Sequence, residues 1–268
     1  MLDINRYRLQ DHAFDYEIRM SSEVKSVLAM FSLLMLFFCA IVNVLSSPAI
    51  SLTQCACNDD ACVTKAVQAA YPLVLEPNPE IGAEELDPMF ATLIDGNLSI
   101  LKFKLFNTTT TGFKSCTVES AKYDEDQQTL QIVLLCPGFH LKGTYDIKGR
   151  LIVLPVEGNG DYSIITKKYR LVINMELKTV TGKDGISCRN IKNFKAKAEA
   201  LEGVVFDFRN LFNGQKDLSD AVHKFANKNW KEVSDEVQAP VFDTNVKKIV
   251  KNANKYLKTT PIDECIAP

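Results

Sequence analysis

The sequence predicts an α+β fold in which a strongly curved antiparallel β-sheet wraps a long C-terminal helix, with short helices near the amino terminus. Two observations carry this prediction. The middle of the chain alternates apolar and polar residues with a period of two, whereas the C-terminal part repeats its apolar residues at helical spacing. The first pattern is typical of antiparallel strands with one wet face, and the second of an amphipathic helix.

The composition is that of an ordinary globular protein. The chain has 268 residues, of which 46% are hydrophobic and 24% charged. Its net charge of −2 argues against a nucleic-acid partner, which would call for a basic excess. With only 3 histidines a histidine-rich metal centre is excluded, and neither a metal nor a cofactor is expected.

An apolar segment at residues 27–45 precedes the predicted folded domain. Ser32 and Asn43 are its only polar residues, and small residues follow it. This pattern is typical of a secretory signal cut after Ser46, although signal cores are usually shorter. The alternatives are that translation starts at Met20 or Met30, or that the segment is a retained membrane anchor, since about 20 apolar residues can span a bilayer. We therefore divide the chain into an extension with a signal segment, residues 1–46, and a secreted, extracellular domain, residues 47–268.

Two short helices are predicted at the start of this domain. The first covers residues 59–70, with Asn58 as the candidate N-cap. A proline-rich connector follows it. The second lies near residues 87–94, where Pro88 would occupy the first turn.

Alternation is clearest in three stretches, residues 101–105, 139–148 and 169–178. Glycines between such stretches supply the turns. Long strands that are apolar on one side imply one large sheet that curls around something apolar.

The C-terminal region is predicted to be a helix over residues 217–257. Unbroken, a helix of this length would extend about 60 Å. Pro240 should bend or break it, because proline lacks the amide hydrogen that the helix needs.

Eight cysteines are typical of a protein that passes through an oxidising compartment. Cys116 and Cys136 flank a hairpin whose turn lies near residues 124–127, so they could face each other across two strands. Such a bond would stabilise the fold by about 3 kcal/mol.

The remaining cysteines leave alternatives open. Cys55 and Cys62 would staple the first helix, with Cys57 as the competing partner. Cys188 and Cys265 form a distant pair that only the fold can decide. A zinc site at the amino-terminal cysteines is the weaker interpretation, because no fourth ligand has a recognisable spacing.

Catalytic motifs are missing from the sequence. It contains no Gly-x-Ser-x-Gly elbow, no His-Glu-x-x-His pair and no Walker loop. We interpret His140 and His223 as solvated side chains. The sequence therefore predicts a protein that is not an enzyme.

Two sequons, at Asn97 and Asn107, are predicted to be glycosylated. Each alone is a weak signal, and in a secreted chain both become credible.

Four groups of motifs between Cys55 and Pro261 point to a family. They are residues 55–62 (CACNDDAC); residues 79–82 (PEIG) with 86–89 (LDPM); residues 143–145 (GTY), Gly149 and residues 151–160 (LIVLPVEGNG); and residues 210–214 (NLFNG) with 227–230 (NKNW). These stretches resemble the insect takeout and juvenile-hormone-binding proteins. The resemblance implies a superhelical lipid-binding fold, with a hydrophobic tunnel between the helix and the curved sheet, and the first motif looks like the family's amino-terminal cysteine pair.

The hypothesis that follows is a secreted, monomeric carrier of a small hydrophobic ligand, such as a juvenile-hormone-like terpenoid or a fatty-acyl lipid. Burying a ~15-carbon chain would contribute roughly 12 kcal/mol before ordering costs. A hydroxyl of Tyr145 or Tyr162 is expected to orient a polar end. The predicted ligand-lining residues are Phe103, Leu105, Ile132, Leu134, Phe139, Leu141, Tyr145, Leu151, Val153, Tyr162, Leu171, Ile173, Phe206, Phe208 and Phe225.

Two other hypotheses stay open. The protein could be a membrane-anchored or protein-interacting member that uses its outer surface, with the membrane as a partner only if residues 27–45 are not cleaved. An esterase acting on hormone esters is the third possibility, and it needs a nucleophile that the sequence does not show.

Overall fold

A computed structural model of the protein describes residue 55, residues 59–182 and residues 185–261. The apolar segment at residues 27–45 and the proposed cleavage after Ser46 lie outside these described residues. So do Asn58, Cys57 and Cys265.

Apart from two short 3-10 helices, Phe113–Ser115 and Phe212–Gly214, the described residues form one α-helix, nine strands and three further α-helices, in that order. They are α1 (Asp60–Leu75), β1 (Met89–Asn97), β2 (Leu101–Thr111), β3 (Thr117–Asp124), β4 (Thr129–Cys136), β5 (His140–Leu151), β6 (Leu154–Thr166), β7 (Tyr169–Thr181), β8 (Ser187–Ala200), β9 (Val204–Phe208), α2 (Lys216–Lys228), α3 (Trp230–Val237) and α4 (Ala239–Leu257). The predicted α+β class, with antiparallel strands and C-terminal helices, is confirmed.

The described strands form two antiparallel sheets, where one large sheet was predicted. Five strands pair in the order β1-β2-β5-β6-β9, and four in the order β3-β4-β7-β8. The chain changes sheet after β2, β4, β6 and β8, and the first two of these crossings meet at Gly112 and Gly138. A Cβ on Gly112 would lie 2.3 Å from the Gly138 carbonyl oxygen, so the corner requires glycine. Neither sheet closes into a barrel.

Helix α1 begins one residue later and ends five residues later than the sequence predicts. Its N-cap is Asp59, whose carboxylate accepts a hydrogen bond from the Cys62 amide at 2.9 Å. The helix continues past Pro72 to Leu75, which is fully buried. The free energy gained by burying this last turn exceeds the free energy lost because Pro72 cannot donate a backbone hydrogen bond.

The second predicted amino-terminal helix is wrong, because the segment after Pro88 is strand β1. Pro88 follows a cis peptide bond instead of starting a helix. The Asp87 carboxylate accepts hydrogen bonds from the amides of Gly112 and Lys114, which fixes the start of the strand. Pairing along β2 then decides the conformation, a tertiary effect that local helix signals do not contain.

The C-terminal helical region is divided into three helices. The break before Pro240 was predicted, and this proline lies in the first turn of α4. A second break occurs at Asn229, whose φ of −104° and ψ of 35° are not helical.

Three asparagines fasten these helices to the rest of the molecule. The amide of Asn227 both donates to and accepts from the backbone of Phe206, and that of Asn254 does the same with Ile191. Asn252 donates to the carbonyl oxygens of Val74 and Glu84 and accepts from the Glu84 amide. Each of these three amides therefore has partners for both its nitrogen and its oxygen.

Both argued disulfides are present in the structure. Cys116 is bonded to Cys136, and Cys55 is bonded to Cys62 across the start of α1. Cys188 is buried, and its thiol contacts the Lys258 carbonyl oxygen at 3.4 Å.

Candidate ligand-binding site

An apolar cavity of about 70 Å³ lies between the five-stranded sheet and the C-terminal helices. In this measure a single water needs roughly 10–15 Å³. Its wall consists of Leu101, Phe103, Leu105, Tyr145, Ile147, Leu151, Val156, Ile164, Phe206, Phe208, Leu211, Val222, His223, Ala226, Val233, Val237 and Val241. No Asp, Glu, Lys or Arg belongs to this wall.

A second cavity of about 40 Å³ adjoins the first. The two share four side chains, which are Ile164, Phe206, Val237 and Val241. The rest of its wall is Thr110, Phe139, Leu141, Thr166, Tyr169, Val204, Ser234, Gln238, Phe242 and Asn245. We call the two spaces the apolar cavity and the polar-lined cavity.

A larger but open cleft of about 540 Å³ lies on the four-stranded sheet. Charged side chains border it, including Lys122 and Asp60, whose ion pair is 2.8 Å long. Because an apolar ligand gains most against an apolar wall, the two cavities beside the C-terminal helices are the better candidates.

Eight of the predicted ligand-lining residues lie in the walls of these cavities. Six of them line the apolar cavity, namely Phe103, Leu105, Tyr145, Leu151, Phe206 and Phe208. Phe206 also lines the polar-lined cavity. Phe139 and Leu141 line the polar-lined cavity.

The other predicted residues lie elsewhere. Those on the four-stranded sheet belong to the core but to neither cavity wall: Ile132, Leu134, Leu171 and Ile173. Tyr162 and Phe225 also pack in the core outside both walls. The inward orientation of Val153 is wrong, since this side chain is 59% exposed. It lies in the turn between β5 and β6, where the left-handed conformation of Ile152 ends the alternation.

The two tyrosines expected to orient a ligand have protein partners. The Tyr145 hydroxyl donates to the Arg209 carbonyl oxygen at 2.7 Å, and the Tyr162 hydroxyl lies 2.8 Å from the Thr108 hydroxyl. Both rings contact Phe208, with centroid separations of 4.8 Å and 5.6 Å. Burial raises the pKa of each tyrosine to about 12. These side chains position Phe208 in the wall and keep the site uncharged.

His223 is part of the wall, so its interpretation as a solvated side chain is wrong. Its Nε2 accepts a hydrogen bond from the Phe208 amide at 2.9 Å, and its Nδ1 donates to the Ser219 carbonyl oxygen at 2.9 Å. The ring is therefore neutral, with its hydrogen on Nδ1. It ties α2 to the edge strand β9.

We expect His223→Leu to lower the free energy of unfolding by about 1–3 kcal/mol, because it leaves the half-buried Phe208 amide without an acceptor. His223→Gln should lose less, since its side-chain oxygen can accept at the position of Nε2. Urea unfolding of both variants measures the difference. Equal losses would show that the hydrogen bond to Phe208 contributes nothing.

Sequence reasoning missed the polar residues of the polar-lined cavity. Ser234, Gln238 and Asn245 recur at intervals that place them on the same side of α3 and α4 as Val241. This helical spacing is the sequence signal from which these polar wall residues could have been predicted. In the described part of the chain, no group of His, Cys, Asp and Glu side chains is arranged to hold a metal ion.

Comparison with known proteins decides the family. The family of haemolymph juvenile hormone binding proteins matches residues 32–267. The chain belongs to this family. The members of this family are haemolymph proteins that bind small hydrophobic ligands. The resemblance drawn from the motifs is confirmed.

Relatives in the juvenile hormone binding protein family cover most of the chain. The circadian clock-controlled protein daywake of Drosophila melanogaster is 26% identical over 224 residues, which are 80% of this chain and 86% of that protein. The daywake protein of Drosophila yakuba is 25% identical over the same length. The crystal structure of Takeout 1 from Epiphyas postvittana superposes with a TM-score of 0.73 and 29% identity, covering 78% of this chain and 96% of that one.

No helix among residues 59–182 and 185–261 is both long and apolar enough to cross a membrane.

Proposed function

We propose that the protein is a secreted carrier of a small hydrophobic ligand, a terpenoid or a fatty-acyl lipid, bound between the five-stranded sheet and helices α2–α4. The observation that carries the proposal is the apolar cavity, whose wall contains no Asp, Glu, Lys or Arg. A ligand gains about 0.8 kcal/mol for each methylene it buries there. Binding therefore needs no charged anchor.

A long ligand fits this site only if the two cavities join. Each cavity has room for only a few water-sized groups. The four shared side chains, Ile164, Phe206, Val237 and Val241, separate them and would have to move. We propose these four, together with Phe103, Leu105, Tyr145, Leu151 and Phe208, as the residues that contact the ligand's apolar part.

Secretion is supported by several features of the chain. The proposed signal segment at residues 27–45 supplies export, and two disulfides suit an oxidising compartment. The sequon residue Asn97 ends β1, and Asn107 lies at an irregularity of β2. Both are exposed, as glycosylation requires. We propose a monomer without catalytic activity and without a nucleic-acid partner.

Solvent extraction tests the proposal most directly. Protein secreted by insect cells is purified, extracted with organic solvent and analysed by mass spectrometry, and a fluorescent fatty-acid probe is titrated into the extracted protein. We expect a bound lipid and saturable probe binding. Absence of both would refute the carrier function.

Amino-terminal sequencing of the same material separates the carrier from a membrane-anchored protein. A start near Ser47 is expected for the carrier. An intact amino terminus in a membrane fraction would favour the anchored alternative.

A further inference from the structure

We infer that one end of the five-stranded sheet docks on a membrane surface that contains anionic lipids. The docking surface consists of two neighbouring turns, residues 98–100 between β1 and β2 and residues 152–153 between β5 and β6, together with the basic residues beside them. We call it the turn surface. Docking needs no bound ligand, so the inference goes beyond the proposed carrier function and can be tested separately from it.

The first observation is that both turns carry exposed apolar side chains. Ile100 is 48% exposed and Val153 is 59% exposed. Hairpin turns usually carry glycine, asparagine or aspartate, because these residues tolerate the backbone conformations that a tight turn requires. Large apolar side chains that stand in water on two neighbouring turns therefore indicate a contact surface.

The second observation is the backbone of the turn between β5 and β6. Ile152 has a φ of 58°, in the left-handed region, which is unfavourable for a β-branched side chain. A two-residue hairpin turn with a positive φ at its first residue usually has glycine there. Strained residues of this kind are found chiefly at functional sites. Isoleucine at this position indicates that the turn serves for more than reversing the chain.

The two turns are held side by side by Arg150. Its amide donates to the Ile100 carbonyl oxygen at 2.9 Å, and its guanidinium donates to the Val153 carbonyl oxygen at 3.3 Å. Gly149 makes this approach possible, since a Cβ on it would lie 2.3 Å from the Ile100 carbonyl oxygen. The two exposed apolar side chains therefore belong to one surface.

The third observation is that the cations beside the turns have no anionic partners. Lys102 on β2 lies directly opposite Lys148 on β5, and both are exposed. Like charges in this position repel each other. Among the ion pairs that the described residues form, none includes either lysine or Arg150. An anionic surface would supply the partner that the protein does not.

The charge of this end of the sheet favours an anionic membrane. Residues 98–102 and 148–157 contain three basic residues and one acidic residue, Glu157, so their net charge is +2, whereas that of the whole chain is −2. Basic residues next to a bilayer with anionic lipids favour binding. Apolar side chains add to this attraction when they enter the head-group region, because binding also scales with the apolar area that leaves water.

The turn surface adjoins the apolar cavity. Leu101 follows Ile100 in the chain and Leu151 precedes Ile152, and both leucines line that cavity. A protein docked through the turn surface therefore holds this end of the cavity at the bilayer, where an apolar ligand dissolves. If the carrier function holds, docking lets the ligand enter or leave with little contact with water.

The test measures how the purified full chain sediments with lipid vesicles. One set of vesicles contains phosphatidylcholine and phosphatidylglycerol at a ratio of about three to one, and the other contains phosphatidylcholine alone. We expect binding to the anionic vesicles to be at least about tenfold tighter. This binding should weaken as salt is added, because ions screen the attraction.

Two double variants test the apolar part of the turn surface. Ile100→Ser with Val153→Ser should weaken binding to the anionic vesicles at least about tenfold, because two apolar side chains no longer leave water. Ile165→Ser with Val205→Ser is the matched control. These two residues are 51% and 53% exposed and lie opposite each other on β6 and β9. The control should bind as the unmodified protein does.

A second pair of variants tests the charges. Lys102→Gln with Lys148→Gln should weaken binding to the anionic vesicles about tenfold and leave binding to phosphatidylcholine unchanged. Lys195→Gln with Lys197→Gln removes two exposed lysines from β8 and should have little effect. All measurements are repeated after enzymatic removal of N-glycans, because the proposed glycosylation site Asn97 lies opposite Lys102.

The outcomes separate docking from the carrier function. Diphenylhexatriene, a fluorescent hydrocarbon, reports ligand binding without vesicles, and its binding by a variant also shows that the variant is folded. Docking is refuted if the protein binds no anionic vesicle with or without glycans, or if Ile100→Ser with Val153→Ser binds as well as its matched control. It is also refuted if the turn surface joins two copies, seen as a dimer that this variant dissociates. Docking without any diphenylhexatriene binding would refute the carrier function alone.

Discussion

Replacing Val241 with phenylalanine is expected to weaken binding of a hydrophobic ligand about a hundredfold. Val241 is buried and lies in the walls of both cavities, at the place where they would join. The larger ring would fill this junction and displace about four ligand methylenes, a loss of roughly 3 kcal/mol. Titration of diphenylhexatriene or of a lipid recovered from the native protein measures the change.

Val205→Phe is the control for this substitution. Val205 precedes Phe206 on β9, and its side chain is 53% exposed on the opposite side of the strand. The Val205→Phe variant should bind diphenylhexatriene as tightly as the unmodified protein does. Urea unfolding shows whether Val241→Phe also strains the core, since overpacking commonly costs about 1–3 kcal/mol. If the folded variant binds normally, the ligand lies elsewhere, and the open cleft on the four-stranded sheet becomes the candidate.

Removing the disulfide between Cys116 and Cys136 is expected to lower the free energy of unfolding by about 3 kcal/mol. The bond closes a loop of 20 residues that contains all of β3 and most of β4. Without it, the unfolded chain gains conformational freedom. The double variant Cys116→Ala and Cys136→Ala, followed by urea unfolding, measures the loss.

Cys188→Ala provides the comparison for the disulfide. Cys188 is equally buried but has no disulfide to another described cysteine, so its replacement reports packing alone. A double variant that loses no more stability than Cys188→Ala would show that the cross-link contributes little.

The elements that sequence could predict are those whose pattern is local. Alternation in β5 and β7 identified the strands, because one side of each strand is buried and the other is wet. The helical spacing and Pro240 identified the C-terminal helices and one of their breaks. The symmetric placement of Cys116 and Cys136 about a hairpin was also a local signal.

Features set by distant contacts could not be predicted. Strand β1 forms because it pairs with β2 and because Asp87 fixes its start. The amides that Asp87 accepts from belong to residues more than 20 positions further along the chain. The division into two sheets depends on the close approach of Gly112 and Gly138. For the site, residue types gave the apolar wall, but only coordinates reveal that Tyr145 is already bonded while Asn245 is not.

Sheets that do not close keep free edges, and this has a consequence for solubility. Strand β8 is an outer strand of the four-stranded sheet and is 14 residues long. An edge of this length is a template on which a second molecule can add a strand. Lys192, Lys195 and Lys197 are exposed along it. Their like charges repel a second copy that approaches this edge, which disfavours the addition of a strand from another molecule.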